Sequence, residues 1–197
     1  MSYHLYHTPA LVLGSTPVGE GSRTILLFTR ELGLVSARAQ GIRLARSKLR
    51  YHLTDFSYTD AWLVRGREIW RLANAVSRAN FFSALDGQDA ARLCLGRAAL
   101  LLRRLLPPEE KHEKLFDAVV SCAAILQSRA CAPGELRDIE ILLALRILFH
   151  LGYLGEPREF LDVAAGEGFG AFEISSVAPL RRQLVSIINS SLRVTGL

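Results

Sequence analysis

The sequence is short of the residues that build disulfide frameworks and metal sites. It contains three cysteines, Cys94, Cys122 and Cys131, an odd and widely spaced set. Such a set argues against paired disulfides and against a Cys-x-x-Cys zinc motif. The five histidines show no metal-ligand spacing. We therefore expect buried free thiols in helical sequence, with no bound metal and no cofactor.

Long hydrophobic runs are also missing. The apolar stretch at residues 141–145 is bounded by Glu140 and Arg146, and it falls well short of the roughly 20 residues that span a bilayer. The N-terminus lacks the charged segment and long apolar segment of a secretory signal. The sequence thus predicts a cytoplasmic protein that does not engage a membrane.

Signatures of catalysis are absent as well. Residues 14–19 have the glycine spacing of a phosphate loop, but Glu20 stands where a lysine must meet the phosphates. The glycines of residues 166–170 follow no predicted strand and miss the dinucleotide-binding spacing. The sequence contains neither a carboxylate cluster for two-metal chemistry nor a G-x-S-x-G nucleophile motif. We expect no catalytic residues and a protein that is not an enzyme.

What the sequence does have is apolar content and an uneven distribution of charge. Half of its residues are hydrophobic, enough for a core without disulfides. Residues 1–78 hold 11 Lys and Arg against 5 Asp and Glu, a net charge of +6, whereas residues 79–197 hold 13 against 14. This asymmetry favours a phosphate-binding module joined to a neutral interaction module, although a solubilising surface would also produce it.

The first 78 residues have the pattern of short strands. Beyond a turn at Gly33, the apolar Val35, Ala37 and Ala39 alternate with polar residues, which indicates a strand with one buried face. The five predicted strands cover residues 9–16, 22–29, 34–41, 55–65 and 68–76, with a loop or short helix at 43–52. This succession fits a small Greek-key barrel of the OB-fold type, and an SH3-like barrel is the nearest competitor.

From residue 80 onward the apolar spacing becomes helical. Two prolines and two glutamates at residues 107–110 resemble the start of an amphipathic helix. We expect an α+β protein with an OB-fold nucleic-acid-binding domain over residues 1–78 and an all-helical domain for protein interaction over residues 79–197. The predicted helices cover residues 81–86, 88–105, 109–128, 135–151 and 179–192, the fourth closed by Gly152 and Pro157, with a glycine-rich loop at 166–170.

Cations and aromatic rings are interleaved with few acids in the first domain. Lys and Arg side chains gain affinity for phosphates by releasing counterions, and aromatic rings stack on unpaired bases. Phe56, Tyr58 and Trp62 share one strand parity and are expected in the core, whereas Tyr51 is expected to be exposed. The residues predicted to contact DNA are Arg23, Arg38, Arg43, Arg46, Lys48, Arg50, Tyr51, Arg65, Arg67 and Arg71.

The first domain contains the motifs Thr29-Arg-Glu-Leu-Gly33, Gly41-Ile-Arg43, Ser47-Lys-Leu-Arg50 and the Arg65-Gly-Arg67 hairpin. Through these motifs it resembles the RecO family of bacterial recombinational repair mediators. Residues 10–13, followed by Gly19-Glu20 and Arg23, resemble the opening strand and turn of that family. Residues 139–153, ending in Leu-Gly-Tyr, resemble a helix of its second domain.

The resemblance implies a nucleoid-associated protein that binds single- and double-stranded DNA, anneals complementary strands and helps RecA replace single-strand-binding protein. RecR and the acidic C-terminal tail of single-strand-binding protein are the implied direct partners, and the RecA filament is an indirect one. For the tail we expect a peptide-binding pocket at Arg137, Leu143 and Arg146. Many relatives carry a cysteine zinc site soon after the Leu-Gly-Tyr segment. Residues 154–170 contain no cysteine, so no zinc is expected here.

Two other functions remain open from the sequence. The first is a non-catalytic scaffold whose basic barrel binds an acidic peptide, because arginine accepts carboxylates as readily as phosphates. The second is a nucleic-acid-modifying enzyme with an unrecognised site.

Overall fold

The computed structural model describes residues 4–154 and 160–194. The chain divides into two compact units, one formed by Met1–Ala84 with Leu106–Glu113 and the other by Leu85–Leu105 with Lys114–Leu197. None of the helices within the described ranges is long and apolar enough to cross a membrane.

The first unit contains a closed five-stranded barrel. Strand β3 pairs with β5 in parallel, all other neighbours are antiparallel, and the strands follow the order β1-β2-β3-β5-β4 around the barrel. This closure confirms the predicted OB-fold. The strands are β1 (Leu5–Val18), β2 (Ser22–Thr29), β3 (Gly33–Ala39), β4 (Ser57–Arg65) and β5 (Trp70–Asn80).

The barrel interior follows the period-two pattern of the strands. Val35, Ala37 and Ala39 are fully buried, while the intervening Ser36, Arg38 and Gln40 are exposed, as predicted. Successive side chains of a strand point to opposite faces, so burying the first set fixes Arg38 on the outer surface. The core also contains Ala10, Val12, Ile25, Leu27, Ile42, Leu53, Ala61, Leu63, Trp70, Leu72 and Ala75.

The basic segment between β3 and β4 is attached to the barrel at both ends. Ile42 and Leu53 belong to the core, and Leu49 packs against it at the start of a short 3-10 helix, Leu49–Tyr51. This agrees with the predicted loop or short helix. Apolar anchors thus hold the backbone in place, and the cations between them remain at the surface.

Residues 106–113, which we call the return segment, pack on the barrel although the sequence predicts a helix from residue 109. Helix α3 (Glu113–Ser128) begins only at Glu113. Pro108 forms a parallel bridge with Leu34, the Glu109 amide donates to the Leu34 carbonyl at 3.0 Å, and Leu106 is buried. The pairing beside β3 satisfies backbone groups that a longer helix would otherwise satisfy, which explains why the helix starts late.

Gly33 is required where the return segment passes the barrel. Its φ of +69° lies in the left-handed region, and a Cβ at this position would overlap the carbonyl oxygen of Glu110. A side chain would therefore be strained by its backbone and would also collide with the return segment.

The helices differ from the prediction mainly at their ends. The first is only four residues long, and α7 begins two residues later than predicted, after a 3-10 turn at Ala178–Leu180. Two short helices, α5 and α6, flank the glycine-rich loop and were missed. Pro157 lies outside the described residues. The helices are α1 (Phe81–Ala84), α2 (Asp89–Leu105), α3 (Glu113–Ser128), α4 (Pro133–His150), α5 (Leu161–Ala165), α6 (Ala171–Val177) and α7 (Arg181–Val194).

The cysteines are unpaired, as predicted, but they are not all buried. Burial raises the pKa of Cys94 to about 12 and also raises the pKa of Cys122 well above its usual value. Cys131 lies between α3 and α4 and is half-buried, so the expectation of a buried helical thiol is wrong there. Within residues 4–154 and 160–194, no three His, Cys, Asp or Glu side chains converge as metal ligands would.

Candidate nucleic-acid interface

Two of the predicted contact residues, Arg38 and Arg71, meet on the outer face of the barrel. They are register partners in the parallel β3–β5 pair and line a depression of about 560 Å³. Both are exposed, and neither forms an ion pair with any residue of the described chain. We call this the Arg38–Arg71 depression; its other lining residues are Gln40, Val64, Gly66, Ile69, Leu72 and Ala73.

A second depression, of about 650 Å³, collects three more of the predicted residues, Arg23, Arg43 and Arg50. Uncharged groups hold two of them in place, because Arg23 donates to the Ser15 hydroxyl at 3.1 Å and Arg43 to the Gly19 carbonyl at 3.2 Å. Such contacts orient a guanidinium without neutralising it. A carboxylate, Asp55, also lines this depression, together with Ser15, Ile42, Leu53 and Thr54.

The remaining predicted cations are less clustered. Arg46, Lys48 and Arg67 are exposed outside these two depressions. The Tyr51 ring is 66% exposed, as predicted. The Arg50 guanidinium lies 4.6 Å from the centre of that ring and donates to its hydroxyl.

Arg65 differs from the other predicted contacts because the return segment neutralises it. Its guanidinium lies 2.8 Å from Glu109 Oε2, and the other oxygen of that carboxylate accepts the Trp70 indole N–H at 3.0 Å. The return segment adds three glutamates and one lysine to the barrel unit, so the net charge of that unit is +4 rather than the +6 of residues 1–78 alone.

Of the three aromatic residues in and just before β4 that are predicted to be in the core, only one is buried. Phe56 is buried, but Tyr58 and Trp62 are half-buried on the outer face, so the core expectation is wrong for these two. Phe56 precedes β4 and has a φ of +59°, so it does not share the parity of the strand as the sequence pattern predicts. Inside the barrel, β4 contributes Thr59, Ala61 and Leu63.

Sequence reasoning missed a stacked pair on this outer face. The rings of His7 and Trp62 are 4.5 Å apart and nearly parallel, at 23°. Beside them, Asp60 accepts two hydrogen bonds from Arg78, which raise the pKa of that arginine. The residues meet through the β1–β4 and β4–β5 registers, and no local sequence signal reveals those registers.

The three residues predicted to bind a peptide do not share a surface. Arg137 is exposed, whereas Leu143 and Arg146 are buried in α4. The Arg146 guanidinium donates to the carbonyls of Val163 and Gly168 and lies 4.6 Å from the Phe169 ring centre. Its burial lowers its pKa, although it remains a strong base. Arg146 therefore supports the glycine-rich loop and cannot form the rim of a pocket.

Arg137 instead lines a different depression of the helical unit. This depression, of about 640 Å³, also contains Arg181 and Arg182 at the start of α7. Arg181 is held by Asp138 through an Nη2–Oδ2 hydrogen bond of 2.7 Å, while Arg137 and Arg182 form no ion pair within the described ranges.

The barrel and its two cationic depressions define an OB-fold protein. A family model described as "Recombination protein O N terminal" matches residues 1–81. Over these residues the chain belongs to the RecO family.

Curated proteins named "DNA repair protein RecO" are similar to most of this chain. The Desulfitobacterium hafniense protein is 30% identical over 154 residues, which are 78% of this chain and 54% of that protein. The Heliobacterium modesticaldum protein is 32% identical over 167 residues, 80% of this chain and 59% of that protein. The chain thus spans a little over half the length of the curated relatives it matches.

Proposed function

We propose that the barrel binds DNA through its two cationic depressions and that the protein acts as a non-catalytic mediator of DNA repair. The observation that carries the proposal is the pair Arg38 and Arg71, adjacent on neighbouring strands and without carboxylate partners among the described residues. Membership of the RecO family supports the same function.

Electrostatics explains how such a surface would hold DNA. Each arginine that meets a phosphate releases condensed counterions, and a guanidinium can donate two parallel hydrogen bonds to one phosphate. Neither interaction depends on the base sequence or on whether the DNA is single- or double-stranded, so the surface binds both forms. With about five phosphates neutralised, the slope of log affinity against log salt for single strands is about −3.5, or about −0.7 per contact.

A charge-matched comparison tests the location of the site. Replacing Arg38 and Arg71 together by Ala removes two contacts, so the salt slope measured by fluorescence anisotropy becomes less steep by about 1.4. The matched control is Arg103→Ala with Arg104→Ala, two exposed arginines in the last turn of α2. If both double variants lose the same affinity for DNA, or if the affinity of the native protein is independent of salt, the proposal that DNA binds at this depression is wrong.

Mediation requires more than binding. Within this proposal the protein anneals complementary strands and helps load RecA on DNA coated by single-strand-binding protein. Annealing is measured with bare and with coated complementary oligonucleotides. A mediator accelerates annealing on both substrates, whereas a simple DNA-binding protein fails on the coated strands.

The helical unit is the proposed partner-binding module, for RecR and for the acidic tail of single-strand-binding protein. The depression at Arg137 and Arg182 supports the tail contact, since it combines free cations with the apolar Ala178 and Pro179. Anisotropy with a labelled tail peptide tests it. Replacing Arg137 and Arg182 by Ala should weaken tail binding and leave DNA binding by the barrel unchanged, and unaltered tail binding would exclude this surface.

A further inference from the structure

We propose that the stacked rings of His7 and Trp62 form a platform on which unpaired bases of single-stranded DNA stack. The inference rests on the proposed DNA-binding function and adds a second kind of contact to it. The phosphate contacts described above do not distinguish single strands from duplexes. A ring platform does, because a base must be unpaired and unstacked before it can lie on a side chain.

The platform continues the surface of the Arg38–Arg71 depression. Val64 lines that depression, and Trp62 lies two residues before it on the same outer face of β4, about 7 Å away along the strand. On the neighbouring strand β5, Ala73 lines the depression and Asn74 is the register partner of Trp62. A strand whose phosphates lie at Arg38 and Arg71 therefore has its bases within reach of the rings.

The His7 ring is exposed, the Trp62 ring is half-buried, and both are held in position. The His7 side chain is 53% exposed, and its Nε2 lies 3.4 Å from Asp60 Oδ1. This contact and the stack with Trp62 fix the orientation of both rings. A base can therefore extend an existing stack, and little side-chain entropy is lost on binding.

The nearby carboxylate does not prevent the approach of a phosphate. Asp60 is bound by Arg78 through two hydrogen bonds, Nε to Oδ2 at 2.7 Å and Nη2 to Oδ1 at 2.6 Å. A bidentate pair of this kind offsets the negative charge locally. The platform is therefore close to neutral, as expected for a surface that contacts bases, and the cations lie beside it.

Matched oligonucleotides separate stacking from phosphate binding. One probe is a labelled oligothymidine, and the other is a strand of the same length made of abasic deoxyribose phosphates. Trp62→Ala should weaken oligothymidine binding about tenfold, the loss of one good stacking contact, and should leave abasic binding unchanged. His7→Ala, at an exposed position, should show a smaller loss with the same selectivity. Val76→Ala, at an exposed position on β5 without a ring, should change neither.

The two tryptophans provide an independent readout. Trp70 is buried in the barrel core, so quenching of intrinsic fluorescence by oligothymidine should come from Trp62 and disappear in Trp62→Phe, which keeps a ring for packing. Equal losses on both probes, or no loss on either, would overturn the platform and leave the cationic depressions standing. A native protein that binds neither probe would overturn the DNA-binding function itself.

Discussion

The barrel and the helical unit use the same residue, arginine, in opposite ways. In the barrel, Arg38, Arg43 and Arg71 are exposed and lack carboxylate partners among the described residues. In the helical unit, Arg97 pairs with Glu140 and Arg129 with Glu135, and each pairing raises the pKa of its arginine. Arg181 is held by Asp138, and Arg146 is buried altogether.

The difference shows that a count of cations does not locate a binding surface. A guanidinium already bidentate with a carboxylate has little to offer a phosphate, because its donors are occupied. What marks the barrel is the absence of such partners around several arginines in two depressions of the described surface. Exceptions occur within each unit, and they test the comparison most directly. Among them are Arg65 and Arg78 in the barrel, which carboxylates hold, and Arg137 and Arg182 in the helical unit, which line a depression.

The largest expected effect concerns the closed interior of the helical unit. Cys94 and Cys122 should react with a thiol reagent at least about a thousandfold more slowly than Cys131, since reaction at a buried thiol requires local opening. Burial also raises the pKa of both thiols, which acts in the same direction because only the thiolate reacts. Titration of native protein with a chromogenic disulfide should find one fast thiol.

The control for that measurement is Cys131→Ser, which should leave no fast thiol. In denaturant the unmodified chain should show three. Two or three fast thiols in the native protein would mean that the interior of the helical unit is open.

The next largest effect is a difference in stability between variants of a buried and a surface arginine on the same helix. Arg146→Ala should lower the free energy of unfolding by about 3 kcal/mol, because it leaves two carbonyls without a donor and opens a cavity. Arg137→Ala, exposed on α4, should change it by less than about 0.5 kcal/mol. Urea unfolding followed by circular dichroism measures both. Similar values for the two variants would contradict the assigned roles.

The smallest expected effect comes from a variant that frees one cation of the barrel from its carboxylate partner. Glu109→Gln keeps an oxygen for the Trp70 N–H but removes the charge that neutralises Arg65. Affinity for single strands at low salt should rise about threefold, with a salt slope steeper by up to about 0.7. Glu110→Gln, which makes the same charge change without an arginine partner, is the control. An equal gain in affinity in both variants would show that the gain comes from net charge and not from Arg65.

The features that the sequence predicted well are those with a local pattern. The alternation in residues 34–40 identifies the inner and outer faces of β3, because a half-buried strand repeats every two residues. The exposure of Tyr51 follows similarly from its basic neighbours.

The features it missed depend on contacts between distant residues. Residues 107–110 carry every local signal of a helix start, yet pairing with Leu34 takes precedence. Arg146 looks like a surface residue because its partners are backbone carbonyls 17 and 22 positions away, and any residue can supply those. The stack of His7 on Trp62 requires the β1–β4 register, which the sequence pattern alone does not determine.

The return segment imposes an order of assembly during synthesis. Domains normally fold as they emerge, the N-terminal one first. Here the chain must pass through all of α2 before residues 106–113 become available to cover Leu34 and Trp70. In a nascent chain that ends at Ala84, the Leu34 carbonyl of β3 and the Trp70 N–H would both lack these partners. Part of the second half of the chain must therefore be synthesised before the barrel unit can complete its folding.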